Sequence, residues 1–140
     1  MKPTALTIAL LAASLAGCNS SQPILVPKSP HGGVLFVLPD GSGRVEVVRE
    51  DDPAKPDKVQ IVVYFLDEKF QPLEPTPTAV SFKPKAPRNA PKVELKPTGD
   101  ADPAKASGLA SPPLDNIGSV AGELSATVAS KPYTIPINVR

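Results

Sequence analysis

One cysteine, one histidine and one methionine are the only soft or imidazole groups in this 140-residue chain. Cys18 closes the stretch Leu15-Ala16-Gly17-Cys18, and His31 sits in Pro30-His31-Gly32-Gly33. They point to different chemistry. A thiol is a nucleophile through its thiolate. A single imidazole at a glycine turn is either a metal ligand or a polar residue of the turn. Tetrahedral zinc takes about four ligands, and copper(I) prefers sulfur. No spacing converges Asp40 or Glu46 on His31. The turn reading is therefore preferred for His31, with metal ligation the weaker alternative.

Other charged groups suggest less. Asp100-Ala101-Asp102 lies in a loop flanked by Gly and Pro but lacks the further oxygen ligands that calcium takes, so it reads as a solvated loop. Lys83, Lys85, Arg88, Lys92 and Lys96, relieved only by Glu94, form a basic stretch. Anionic lipid headgroups or polysaccharide would suit it, and so would plain solvent. Gly-x-Ser-x-Gly, a phosphate-cradling glycine loop and zinc-ligand spacing are all missing from the sequence. A non-enzyme is expected. The catalytic alternative is an envelope hydrolase whose carboxylates meet only in space.

The amino end sets the context. Met1-Lys2 is a small positive region, and Ala5 to Ala16 carries Leu6, Ile8, Leu10, Leu11 and Leu15 with no charge. Twelve helical residues reach about 18 Å, short of a bilayer core of about 30 Å, so the run reads as an export signal and not a span. Leu15-Ala16-Gly17-Cys18 resembles the lipobox of bacterial lipoprotein precursors. The resemblance implies cleavage of the signal, residues 1–17, before Cys18. Its sulfur then takes a diacylglycerol and its new amine an acyl chain, and no other cofactor is expected. A lone exported thiol is thereby consumed, and more than one acyl chain gives a stable anchor. Asn19 in place of Asp favours the outer membrane under the lipoprotein sorting rule, facing the periplasm or the cell surface.

Removing residues 1–17 leaves 123 of the 140, enough for one domain. Lys2 leaves with the signal, so 14 basic residues face 14 acidic ones, and no global field draws the chain to nucleic acid. The membrane is the expected partner through the lipid, with an envelope protein or polysaccharide as the partner of the domain. Trp is absent and prolines number 19, which excludes long helices and leaves Val, Ile, Leu and Ala to build the core.

Residues 18–30 read as a lipidated cysteine and a proline-containing tether, with Ile24-Leu25-Val26 as either tether or first edge strand. Gly33 to Leu38 and Arg44 to Glu50 flank Pro39-Asp40-Gly41-Ser42-Gly43 and read as a hairpin. Lys58 to Leu66 is apolar on both faces, as a central strand would be. Phe70 and Leu73 are expected to close the end of the fold. Thr78 to Lys83 and Lys92 to Lys96 alternate as strands, and a short one is expected near Ser107 to Ala110. Gly122 to Val128 and Tyr133 to Val139 form a final hairpin, its last strand at an edge, or bulged at Pro136, because Pro136 has no N–H.

About seven short antiparallel strands over residues 31–140 argue for an all-β sandwich. A small barrel is the runner-up. The run from His31-Gly32-Gly33 through Val59–Leu66 to the last hairpin resembles small immunoglobulin-like domains of bacterial envelope lipoproteins. That resemblance implies a binding or structural module. Similar domains accompany heavy-metal efflux adaptors, which gives a metal-handling accessory protein as the other alternative.

Overall fold

The computed structural model describes residues 28–102 and 105–140. Leu15, Ala16, Gly17, Cys18 and the possible strand at residues 24–26 lie outside the described residues. Strands run in the order β1 (Val34–Val37), β2 (Arg44–Asp51), β3 (Lys58–Leu66), β4 (Thr78–Pro84) and β5 (Val93–Glu94). Then come β6 (Lys96–Pro97), β7 (Leu109–Ala110), β8 (Leu114–Asp115), β9 (Val120–Val128) and β10 (Lys131–Val139). They form two antiparallel sheets, one ordered β1-β2-β3-β7-β6 with β8 also on β3, the other ordered β10-β9-β4-β5.

Period-two alternation turns one side of each long strand inward. Val45 and Val47 of β2 and Val59, Ile61, Val63 and Phe65 of β3 meet Val80 and Phe82 of β4 in one buried cluster. From the other sheet Leu124, Ala126 and Val128 of β9 and Ile135, Ile137 and Val139 of β10 complete it. Each such side chain contributes about 1.5–3 kcal/mol by leaving water. Among the described residues the buried side chains of this core lie within Leu38–Val139. An all-β fold of two antiparallel sheets over a shared core is what the alternation predicts.

The central place of Lys58–Leu66 follows the sequence reading: β3 pairs with β2 on one side and with β7 and β8 on the other. Its second face is also covered, with Val62, Tyr64 and Leu66 packed against Leu35, Val48 and Phe70. Strand β10 is an edge, where the missing donor of Pro136 leaves no ladder bond unmade.

Three expectations are corrected. The single strand at Lys92–Lys96 divides at Leu95: Glu94 pairs with β4 in one sheet, while Lys96 pairs with β7 in the other. Leu95 is buried at the crossing and its N–H reaches the Val80 carbonyl at 3.0 Å. Pro91 precedes the first half and Pro97 ends the second, and neither can donate to a ladder. Phe70 does not join Leu73 in the main core but packs on the outer face of the first sheet, with the Arg44 guanidinium 5.0 Å from its ring centre. The expected seven strands become six of four residues or more and four two-residue pieces among the described residues, because proline interrupts the stretch from 84 to 113.

Pairing of Val128 with Lys131 makes Ala129-Ser130 a two-residue hairpin loop, with φ of 48° and 68°. Both residues occupy the left-handed region that such loops require and that Asn-Gly adopts more readily. Replacing Ala129-Ser130 by Asn-Gly is expected to stabilise the domain by about 1 kcal/mol. A urea titration reads this as a raised midpoint, and a lowered midpoint contradicts the loop geometry.

Candidate functional site

His31 precedes β1, where Gly32 (φ +79°) and Gly33 fold the chain against β2. A Cβ on Gly33 would stand 2.5 Å from the Val47 carbonyl oxygen, so this approach needs glycine. The Glu46 side chain sits beneath it, fully buried on the outer face of the first sheet. Glu46 Oε1 accepts the N–H groups of His31 and Gly33, each at 2.9 Å. Its Oε2 lies 2.8 Å from His31 Nδ1. The imidazole stacks on Tyr64, ring centres 3.7 Å apart and planes 6° from parallel. Tyr64 is the register partner of Glu46 on β3, which sets the ring beneath the histidine.

The electrostatics follow from this packing. Burial pushes the Glu46 carboxyl up, but the Gly33 N–H, the His31 ring and the His31 N–H together outweigh it and hold the group below its ordinary 4.5. An ionised carboxylate only accepts, so Nδ1 carries the proton that points at Oε2. Burial, aided by Glu50 and Glu46, raises the Tyr64 phenol. The imidazole is thus held by stacking and by the carboxylate as part of a clip that fixes the start of the domain. Glu46 does converge on His31, contrary to the spacing, although Asp40 does not: it binds Ser42 and the Tyr133 hydroxyl. Among the described residues no group of three or more His, Cys, Asp or Glu is placed to hold a metal ion.

A second feature was not visible in the sequence. An apolar cleft of about 450 Å³ opens between the loop 84–91 and the segment 113–121. Pro84, Ala86, Pro87 and Pro91 form one wall, and Pro113, Leu114 and Ile117 the other. Both walls are tied down. The Lys85 N–H donates to the Ala121 carbonyl at 2.8 Å, and the Ala90 N–H to Pro87 at 2.8 Å. Arg49 donates to the Gly118 carbonyl at 2.7 Å and to Asn116 Oδ1 at 2.8 Å, while Asn116 donates to the Pro56 carbonyl at 3.0 Å. Ser111 Oγ takes the Ile61 N–H at 3.1 Å and donates to the Pro112 carbonyl at 2.8 Å. Ile117 leaves 56 % of its surface in water beside the cleft.

Lys85, Lys92 and Lys96 of the basic stretch stand in different places. Lys85 lines the apolar cleft, Lys92 lines a separate concavity with Ser81 and Glu94, and Lys96 belongs to the other sheet. Asp100 and Asp102 occupy an exposed turn in which the Asp102 N–H donates to Asp100 Oδ1 at 3.0 Å. Sequence reasoning missed Glu46 because alternation alone does not show which outward carboxylate is covered. It missed the cleft because the two walls lie about thirty residues apart in sequence. No family model, curated protein or solved structure matches this chain.

Proposed function

We propose that this chain is a bacterial envelope lipoprotein, anchored by lipid on Cys18, whose immunoglobulin-like β-domain is a non-catalytic binding module. The lipobox Leu15-Ala16-Gly17-Cys18 supports the anchor, and Asn19 supports placement in the outer membrane, facing the periplasm or the cell surface. The apolar cleft between the loop 84–91 and the segment 113–121 is the observation that carries the binding role. Concave apolar sites with a few polar groups are where small ligands bind. Its walls of proline, alanine and branched aliphatic side chains suit an apolar ligand better than a polysaccharide, which needs rows of hydrogen-bonding partners.

The neutral apolar dye N-phenyl-1-naphthylamine tests the cleft in residues 20–140, the lipid-free chain that keeps the whole described core. Saturable one-to-one fluorescence enhancement is expected. Ile117→Asp, at a largely exposed position, is expected to weaken it about tenfold without changing the melting temperature. Equal binding by both proteins, or none by either, contradicts the cleft as the binding surface.

A further inference from the structure

We propose that the cleft takes a single apolar chain ending in an anionic group, a fatty acid being the simplest case, with Lys85 as the counter-ion. This deepens the reading of the cleft as the binding surface of the module and depends on it. Four observations on charge and shape carry it. The cleft walls are apolar over most of their length, so they match an alkyl chain. Among the described residues that line the cleft, two are charged, Lys85 and Asp115. Asp115 is already neutralised, its Oδ1 lying 2.6 Å from Lys58 Nζ. Lys85 is exposed and makes no ion pair among the described residues.

Arg88 stands three residues beyond Lys85 in the loop and is exposed, again without an ion pair among the described residues. A ligand whose alkyl chain lies between the proline walls and Ile117 would bring its head group to the rim where Lys85 stands. A carboxylate there meets an unpaired ammonium, and a quaternary ammonium meets a like charge. Both walls are held by hydrogen bonds before any ligand arrives, so little ordering is left for binding to oppose. The loop 84–91, the segment 113–121 and the Lys58–Asp115 pair thus make a slot that discriminates by head-group sign.

The test is displacement of N-phenyl-1-naphthylamine from residues 20–140 by decanoate and by decyltrimethylammonium, each kept below its micelle concentration. Decanoate is expected to displace the dye at a concentration about tenfold lower than the cation, and Lys85→Glu is expected to reverse that order. Lys85 is exposed, so the variant should melt with the wild type, and its dye affinity confirms an intact cleft. Equal displacement by both amphiphiles, unchanged in Lys85→Glu, overturns the anion proposal while leaving an apolar cleft. Absence of dye binding overturns the cleft reading as well. A third arm measures flotation with phosphatidylglycerol vesicles. Lys85-dependent flotation without displacement by decanoate overturns the proposal in favour of a membrane-docking face.

Discussion

Replacing Glu46 by Leu is expected to destabilise the domain by about 3 kcal/mol, although the position is on the outer face of its sheet and a leucine would normally be welcome in a strand. The carboxylate is fully buried and accepts three hydrogen bonds, from two backbone N–H groups and from an imidazole. Leucine supplies the volume but no acceptor, so the N–H groups of His31 and Gly33 lose the partner that folded them against β2. Glu46→Gln keeps one carbonyl oxygen for those two N–H groups and is expected to lose less than half as much. The effect carries a pH signature with a defined sign. The folded carboxyl lies below its ordinary 4.5, so the clip stabilises fully above that value and its contribution is lost as pH falls below it. The gap between wild type and Glu46→Leu in urea midpoint should therefore be largest near neutrality and shrink toward pH 3. Asp40 is also held low, by Ser42 and Tyr133, but it is unchanged in the variant and cancels from the difference. A gap that stays constant with pH contradicts the ionised clip.

Phe82→Ala is expected to cost about 3–5 kcal/mol, by lost transfer energy and by the cavity left behind. Phe82 is fully buried and lies in the middle strand pair of the second sheet, with Leu124 opposite on β9 and Val93 on β5. Its ring lies over Gly122, where an added Cβ would stand 2.5 Å from Phe82 Cε2. Aliphatic neighbours held in a two-sheet core have little room to collapse into the space. Because domains of this size are stable by only about 5–15 kcal/mol, the variant should sit near its unfolding limit at growth temperature. Thermal unfolding followed by far-UV circular dichroism checks this; a melting temperature within a few degrees of wild type contradicts the core assignment.

Much of the fold was legible because the long strands obey one local rule. Leu124–Val128 and Tyr133–Val139 alternate cleanly, and burial selects Leu124, Ala126, Val128, Tyr133, Ile135, Ile137 and Val139. The two apolar faces of Lys58–Leu66 announced a central strand, and Pro136 announced an edge. Local pattern failed where tertiary pairing decides. Nothing in Lys92-Val93-Glu94-Leu95-Lys96 tells that its halves serve different sheets, and Phe70 was drawn from the core by the outer apolar surface around Tyr64. His31 illustrates the same limit at the site. A lone imidazole at a glycine turn is compatible with a ligand or a turn residue, and only the pairing of Glu46 with Tyr64 across the sheet makes the pocket that holds it. The cleft has a partial signal, the proline density of 84–91 and 112–113, but its second wall arrives through the β8 pairing with β3.

Everything proposed about where the module works depends on Cys18. In the proposed anchoring the Cys18 sulfur is the nucleophile that takes the diacylglycerol, and a serine hydroxyl, far less nucleophilic than a thiolate, would not replace it. Metabolic labelling with an alkyne fatty acid, in a bacterium producing the wild-type chain or Cys18→Ser, tests it most directly. The account predicts a labelled, shortened wild-type protein beginning at Cys18, and an unlabelled, longer Cys18→Ser precursor. Equal label on both proteins, or an unlabelled wild type cut elsewhere, would contradict it.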